Sequence, residues 1–436
     1  MELVYCDQQG QVFNHPSYPP VFREGRNFCT LRKNDKLIKM PFGSFLFSLP
    51  GRTPIIVDRG RQNYRPLTHV DRKAALAASA FVSSGYLRTY LPAYHKSNPE
   101  APTLSLWGYS GVAYHRQEFY VPAIRIDDDP RSDPAIHEND ALLAKKVKKL
   151  TALFPQNRLV RQLAYCSTEY RCLCARNFFL NRYEAPIPTA PDCNSRCLGC
   201  LSHQDQEQSG FAASQHRLSF KPTPEEIAEV ILYHFEHTTT HVYPVKSGGP
   251  IASFGQGCEG EPLTRAKDLA RAIRLIRNKS DRGTINLNTN GSLPLMVKEM
   301  IDAGLDSIRI SMNSITPDYY NRYYRPQAYH YSDVLKSIEL ALNANIFVSL
   351  NLFFLPGFTD CEAEVLSLFN FLEAFPISMI QTRNLNIDPD FYLDRIEFKH
   401  SPAIGTITLL QKLRSHFPSL RLGQYNPCKE SLSKYS

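Results

Sequence analysis

The sequence has no apolar run long enough to cross a membrane. No stretch approaches the ~18 consecutive apolar residues of a membrane-spanning helix. Residues 1–6 also lack the basic lead and apolar segment of a secretory signal. We therefore expect a cytoplasmic protein. Only eleven cysteines occur in 436 residues, too few and too scattered for a disulfide framework, so reduced thiols and metal ligands are expected instead.

A strong excess of either charge is also lacking. Fifty Lys and Arg residues oppose 42 Asp and Glu residues, which gives a formal net charge of +8. This balance permits an anionic substrate but does not demand nucleic acid. With 43% hydrophobic residues, the chain has enough apolar material for more than one domain.

Three cysteines lie within one eight-residue stretch, in the pattern C-x3-C-x2-C. They are Cys193, Cys197 and Cys200. Such spacing lets a short loop place its thiolates around one metal centre. Three ligands suit a cubane iron–sulfur cluster with one iron left open. His203 follows with C-x2-H spacing, so a Cys3His zinc site in a non-catalytic binding protein is the alternative.

This pattern, followed about sixty residues later by Gly260-Glu261-Pro262, resembles the radical S-adenosylmethionine (radical SAM) superfamily from about residue 190 to about residue 390. The resemblance implies that the three cysteines hold a 4Fe-4S cluster. It also implies that S-adenosylmethionine binds the open iron and is cleaved to a 5'-deoxyadenosyl radical, which abstracts hydrogen from the substrate. A one-electron donor such as flavodoxin or ferredoxin is expected as a partner.

The resemblance also indicates where the cofactor binds. Its Gly-Glu-Pro turn follows the second strand and binds the methionine amino group, and fourth-strand residues bind the ribose and carboxylate. Family members usually have an aromatic residue just before the third cysteine, whereas this chain has Gly199. The implied cofactor-binding residues, with third-strand candidates included, are Gly260, Glu261, Pro262, Asn288, Asn290, Ser311 and Asn313.

From residue 177 onward, predicted strands and helices alternate, which is typical of a parallel sheet. We predict strands at 178–184, 251–255, 284–290, 307–313, 346–354 and 378–383. Six strands in this order predict an α/β fold, a partial six-stranded (β/α)6 TIM-like barrel, as in the resembled superfamily. The predicted divisions are an irregular N-terminal α+β domain at 1–135 with a helix near 71–82, a helical linker at 136–176, the barrel at 177–395, and a C-terminal helix and tail at 396–436.

Polar residues recur on one side of three predicted strands. Alternate residues of a strand point to the same face. The polar sets are Asn286, Asn288 and Asn290; Arg309, Ser311 and Asn313; and Ser349 and Asn351. We therefore expect helices to cover the apolar side and a polar ligand to occupy the interior, near the C-terminal ends of the strands.

Candidate substrate residues follow the fourth and sixth strands, where loops cover the mouth of a barrel. Arg325 and Arg383 suit a carboxylate or phosphate, whereas Asp388 and Asp390 suit an amine or the cap of a helix. The favoured substrate is a peptide or small metabolite. An RNA-modifying methyltransferase is the alternative within the family, because members that methylate RNA carry a similar Gly-x-Gly-Glu-Pro form and Cys361 or Cys428 offers an acceptor thiol.

A second group of cysteines precedes the barrel with C-x5-C-x-C spacing. It consists of Cys166, Cys172 and Cys174. These thiols suit either an auxiliary cluster or buried structural positions, and the sequence leaves both open.

Overall fold

The computed structural model describes residues 1–33, 35–58, 63–129, 139–238 and 248–432. The described part of the N-terminal region contains strands and no helix. These strands are β1 (Glu2–Cys6), β2 (Val12–His15), β3 (Phe22–Glu24), β4 (Asn27–Cys29), β5 (Ile38–Lys39), β6 (Phe45–Ser48), β7 (Arg52–Val57), β8 (Tyr64–Pro66), β9 (His69–Val70), β10 (Lys73–Ala74), β11 (Leu76–Phe81), β12 (Tyr86–Arg88), β13 (Leu91–Pro92), β14 (Tyr94–Lys96), β15 (Ala113–His115), β16 (Glu118–Val121) and β17 (Ala123–Arg125).

Strand β1 lies at the centre of the largest N-terminal sheet and pairs antiparallel with β2, β11 and β15. The predicted helix at 71–82 is wrong, because β11 occupies that segment and pairs with β1 and β6. Its alanine-rich sequence favours a helix, but small side chains also fit a strand that is packed on both faces, and this tertiary pairing decides the outcome. The N-terminal region is therefore β rather than α+β in its described part.

Three helices connect this region to the second half of the chain. They are α1 (Asp140–Leu153), α2 (Arg158–Thr168) and α3 (Leu173–Phe179). The predicted strand at 178–184 is wrong, since α3 runs to Phe179 and buries both Phe178 and Phe179. The predicted boundary near residue 135 falls outside the described residues.

The second half alternates strands and helices. Its elements are β18 (Glu184–Ile187), α4 (Gln206–Ser209), α5 (Pro224–His237), β19 (Ile251–Phe254), α6 (Ala266–Arg277), β20 (Thr284–Thr289), α7 (Pro294–Asp302), β21 (Ser307–Met312), α8 (Pro317–Tyr324), α9 (Tyr331–Asn343), β22 (Phe347–Phe354), α10 (Glu362–Ala374), β23 (Met379–Asn384), α11 (Pro389–Arg395), α12 (Thr406–His416), β24 (Arg421–Gly423) and α13 (Lys429–Leu432), with a 3-10 turn at Pro262–Arg265.

Strands β18 to β24 form one curled parallel sheet in sequence order, with β18 and β24 at its two edges. The mixed α/β architecture and five of the six predicted strands are confirmed. The first strand lies later than predicted. It contains Pro186, and an edge strand accepts proline because one of its sides carries no ladder. A short further strand, β24, extends the sheet beyond the six predicted strands.

The N-terminal region docks on the loops that follow β22 and β23. The amide of Gly25 donates to the carbonyl of Pro356 at 2.7 Å. Two ion pairs join the same regions: Arg52 with Asp388 at 2.8 Å, and Arg23 with Asp390 at 2.9 Å. Because both loops leave the carboxyl ends of parallel strands, this docking lies at the end of the sheet where active sites of such folds occur. Within the described ranges, no helix combines the length and apolarity needed to cross a membrane.

Candidate active site

The cysteine loop follows β18 and is held against the last turn of α8 and the chain that follows it. The amide of Leu198 donates to the carbonyl of Tyr323 at 2.9 Å, and the amide of Arg196 donates to that of Tyr324 at 3.0 Å. Further along, the Gln327 amide donates to the Asn194 carbonyl at 2.9 Å. These backbone bonds fix the loop in a single path between its thiols.

The three thiols of the loop open onto one cavity of about 330 Å³. This volume is within the range of small-ligand sites. The turn before α6 and the polar faces of three strands line the same cavity. Its lining includes Cys193, Cys197, Cys200, Arg217, Gly255, Gln256, Glu259, Gly260, Glu261, Pro262, Asn288, Asn290, Arg309, Ser311, Tyr323, Tyr324, Asn351 and Phe353.

The Cys3His zinc alternative does not fit this geometry. His203 is exposed and does not line the cavity onto which the three thiols open. Among the residues that the structure describes, no group of three or more His, Cys, Asp or Glu side chains is placed to hold a single metal ion. The thiols instead surround a space suited to a larger, cluster-sized group.

Glu259 fixes the turn that follows β19. Its buried carboxylate accepts hydrogen bonds from the amides of Gly255 and Gln256 within the turn. It also accepts from the amides of Thr189 and Ala190 and from the Thr189 hydroxyl, beyond the end of β18. Burial raises the pKa of Glu259 to about 7, while these donors favour its charged form. The turn and the start of the cysteine loop are thereby joined through one side chain.

Glu261 makes the corresponding link to β20. Its carboxylate accepts from the amides of Leu263 at 3.0 Å and Asn290 at 2.9 Å, and from the Thr289 hydroxyl. Burial raises the pKa of Glu261 to about 7. Because protein donors already engage this carboxylate, the backbone of the turn is the part left to contact a ligand.

Gly260 lies where the turn passes the cysteine loop. Its amide donates to the backbone carbonyl of Ala190 at 2.6 Å. The amide of Glu261 donates to the backbone carbonyl of Asp192 at 2.9 Å. A Cβ at Gly260 would overlap the backbone carbonyl of Asp192 and contact the Cβ of Cys193 at 3.1 Å. Only glycine permits this close approach.

The polar faces predicted for three strands do line the cavity. Asn288 donates to the carbonyl of Gly255 at 3.1 Å, and Asn290 donates to Asn194 and Ser195 of the cysteine loop at 2.9 and 3.0 Å. Two buried polar atoms on the wall, Arg309 Nε and Asn351 Oδ1, have no hydrogen-bond partner among the described residues. Uncompensated polar atoms of this kind indicate a polar ligand.

Asn313 does not line the cavity. It is fully buried and donates to the hydroxyl of Tyr392 at 3.0 Å and to the carbonyl of Tyr319 at 3.2 Å. This places it behind the wall, where it supports the end of β21.

The four candidate substrate residues occupy different places. Arg383 lines an adjoining cavity of about 150 Å³. Arg325 is exposed and donates to the carbonyl of Arg196 on the cysteine loop. Asp388 caps α11 by accepting from the amides of Asp390 and Phe391, as the capping alternative predicted. Both aspartates also pair with arginines of the N-terminal region, so their carboxylates already have partners.

Two functional candidates were missed at the level of sequence. Tyr323 places its hydroxyl against Gly199, at the position before the third cysteine where the resembled family has an aromatic residue. Arg217 donates to the sulfur of Cys200 at 3.4 Å. The tyrosine-rich run after β21 was a usable signal for Tyr323, whereas no local pattern marks Arg217.

A model of the radical SAM superfamily matches residues 187–369. The GTP 3',8-cyclase of Campylobacter lari is 30% identical over 177 residues, which cover 40% of this chain and 48% of that protein. The GTP 3',8-cyclase of Rhizobium etli is 30% identical over 135 residues, 30% of this chain and 38% of the relative. The chain thus spans less than half the length of either relative.

Two solved structures are similar to the chain over a larger part. Methylornithine synthase (PylB) covers 66% of this chain and 77% of its own, with 11% identity and a TM-score of 0.37. Streptococcus suis SuiB bound to the precursor peptide SuiA covers 61% of this chain and 53% of its own, with 11% identity and a TM-score of 0.37.

Proposed function

We propose that this chain is a radical enzyme that abstracts hydrogen from a peptide or small-metabolite substrate, because a model of the radical SAM superfamily matches residues 187–369. The observation that supports this most strongly is that the three loop thiols, the Gly-Glu-Pro turn and the polar strand faces surround one cavity. The 4Fe-4S cluster and S-adenosylmethionine used by this family supply a 5'-deoxyadenosyl radical when bound. Flavodoxin or ferredoxin is the expected type of electron donor.

Cys193, Cys197 and Cys200 are the residues proposed to hold the cluster. Burial raises the pKa of Cys193 to about 11 and also raises that of Cys197. Without metal, both groups are therefore protonated at neutral pH, and metal binding would release their protons. Arg217, which donates to the sulfur of Cys200, stabilises negative charge on that ligand.

The turn and the strand ends are proposed to hold S-adenosylmethionine. Backbone carbonyls of the turn around Gly260 and Pro262 suit an ammonium group, while Glu261 holds the turn in place. Asn288, Asn290 and Ser311 offer amide and hydroxyl groups at strand ends that line the same cavity. Tyr323 provides an aromatic ring beside Gly199, and Asn313 supports the wall from behind.

Arginines on the wall favour an anionic substrate. Arg309 lines both cavities, and Arg383 lines the adjoining one. Burial, together with the neighbouring charge of Arg383, lowers the pKa of Arg309 to about 9. Two guanidinium groups that line one cavity with a single carboxylate among the described residues, that of Glu184, gain from a shared anion, and guanidinium matches carboxylate or phosphate geometry.

A phosphorylated nucleoside is the second candidate substrate. The same arginine pair suits its phosphates, and the curated relatives are named for a reaction of GTP. By contrast, nothing in the described residues favours the RNA methyltransferase alternative. Its candidate relay thiols, Cys361 and Cys428, are only 1% and 0% exposed, so neither is accessible to a large substrate.

The experiment that tests the proposed function is electron paramagnetic resonance of anaerobically reconstituted, dithionite-reduced protein. We expect a reduced 4Fe-4S signal that changes when S-adenosylmethionine is added, because the cofactor would bind the iron that lacks a cysteine. A protein that stays colourless and silent after supply of iron and sulfide, and that contains stoichiometric zinc, would overturn the proposal.

Gly260→Ala should weaken binding of S-adenosylmethionine. The new Cβ overlaps the Asp192 carbonyl, and overpacking of this kind costs about 1–3 kcal/mol, which corresponds to roughly a 5- to 150-fold rise in Kd. Isothermal titration calorimetry of the reconstituted protein with S-adenosylmethionine measures this Kd.

Gly257→Ala, at another lining residue of the same turn and cavity, is the matched control. Its Cβ meets Leu201 Cδ1 at 2.8 Å and Gln215 Nε2 at 3.2 Å, both at the ends of flexible side chains that can move. We expect a change in Kd of less than about threefold. Equal losses in the two variants would show that the close approach at Gly260 has no special role.

A further inference from the structure

Four cysteines outside the loop converge behind the turn that carries Glu261. Cys166 lies near the end of α2, Cys172 immediately before α3, and Cys174 in its first turn. Cys258 lies in the turn between β19 and α6. The side chains of Cys258 and Cys166 interact with each other, as do those of Cys174 and Cys172. We refer to these four residues as the second thiol set.

Local structure brings the two pairs of the second thiol set together. The amide of Cys172 donates to the carbonyl of Cys166 at 3.0 Å, which closes the turn between α2 and α3. Cys172 also lies close enough to Cys166 and Cys258 for their charges to interact. Cys166 and Cys258 are therefore neighbours in the fold although they lie 92 positions apart in the chain.

One side-chain amide approaches the second thiol set. Gln162 Nε2 donates to the sulfur of Cys166 at 3.3 Å. Such a donor stabilises negative charge on the sulfur. The thiolate is the form of cysteine that binds metal.

The second thiol set also borders open space. Cys174 lines the cavity of about 150 Å³ that contains Glu184, Arg309 and Arg383. This cavity shares Gln256, Asn288 and Arg309 with the larger cavity of the loop thiols. Structural cysteines are usually single packing residues in closed surroundings, so an arrangement of four with one thiol facing a cavity calls for another explanation.

Mononuclear zinc is not that explanation. Structural zinc sites are closed and tetrahedral, whereas Cys174 is exposed to the cavity. In the described part of the chain, no three such ligands are placed around a single ion. Four thiolates that bind the outside of a larger metal–sulfide core are the typical ligands of iron–sulfur clusters.

We propose that Cys166, Cys172, Cys174 and Cys258 bind a second iron–sulfur cluster, located between the α2–α3 turn and the turn that carries Glu261. The cluster would fix the cofactor-binding turn through Cys258. It would also form one wall of the cavity that contains Arg309 and Arg383. The site does not require the loop cysteines, and it can therefore be tested in their absence.

The test uses the full chain with Cys193→Ala, Cys197→Ala and Cys200→Ala combined, reconstituted anaerobically with ferrous iron and sulfide. We expect this triple variant to retain about half of the wild-type iron and sulfide, with a Mössbauer spectrum of a thiolate-bound cluster. Adding Cys166→Ala and Cys172→Ala should remove that iron. As a matched control, Cys6→Ala and Cys361→Ala, which change two buried thiols outside both sets, should leave it unchanged.

A folded triple variant without iron, verified by unchanged circular dichroism and Trp107 fluorescence, would overturn the proposal. Stoichiometric zinc in place of iron, or a Cys166–Cys258 disulfide found by mass spectrometry of anaerobic protein, would also overturn it. A reciprocal variant protects against misfolding. Cys172→Ala with Cys174→Ala should lose about half of the iron yet keep the signal that responds to S-adenosylmethionine. If this variant lost the response to S-adenosylmethionine while its iron content stayed unchanged, the proposal of a second cluster would be contradicted.

Discussion

Replacing Cys197 with alanine should abolish the iron signal that responds to S-adenosylmethionine. Cys197 is one of three thiols on the wall of the larger cavity, and removal of one thiolate leaves two ligands for a cluster that needs three. We expect complete loss of the response in electron paramagnetic resonance, with iron lowered by about half if the second thiol set is filled.

Cys361→Ala is the control for this loss. Cys361 is 1% exposed and lies outside both thiol groups, so its removal tests the effect of deleting any buried thiol. The response should be retained in full. A Cys197→Ala protein with the wild-type response would remove Cys197 from the proposed ligands.

Arg52→Ala should lower the free energy of unfolding by about 3–5 kcal/mol. The Arg52 and Asp388 side chains are 0% and 1% exposed and 2.8 Å apart. Removing the guanidinium leaves the Asp388 carboxylate buried without its cation, and that uncompensated charge accounts for the large cost. The same change deletes the hydrogen bonds from Arg52 to the carbonyls of Pro50 and Pro102.

Denaturant unfolding followed by the fluorescence of Trp107, the single tryptophan, measures this loss in the N-terminal region. Arg26→Ala is the matched control, because Arg26 and Asp394 also join the N-terminal region to α11 but are 48% and 61% exposed. We expect Arg26→Ala to lower the free energy of unfolding by less than about 1 kcal/mol. The double variant Arg52→Met with Asp388→Asn should recover much of the loss, since no uncompensated charge remains. Equal losses of unfolding free energy in the Arg52 and Arg26 variants would contradict the conclusion that burial of the Arg52–Asp388 ion pair causes the large effect.

The parallel sheet was predictable because its information is local. Alternation of Asn286, Asn288 and Asn290 with apolar residues gave both the strand β20 and its cavity-facing side, and a capping box at Thr223 marks the start of α5. Period and cap chemistry act over a few residues and can be recognised in a single sequence. The C-x3-C-x2-C loop was recognisable as a candidate metal-binding loop for the same reason.

The errors and omissions arise from contacts between distant segments. The segment around Phe178 has the aromatic content of a strand, but packing of both phenylalanines in the core selects a helix. No local pattern marks Glu259, although it joins Gly255 to Thr189, 66 positions earlier in the chain. The pairing of Arg52 with Asp388 spans 336 positions. The periodicity of a sequence gives no information about contacts between residues so far apart in the chain.

The docking of the N-terminal strands has a consequence for how the chain can be divided. A fragment that begins at residue 177 would contain the whole parallel sheet but would leave Asp388 and Asp390 without Arg52 and Arg23. It would also uncover the loop at Pro356, to which Gly25 is bound. Truncation, circular permutation or exchange of residues 187–369 alone would therefore cut through contacts that the two parts of the chain share. A fragment that keeps both ion pairs must include the N-terminal strands that carry Arg23 and Arg52.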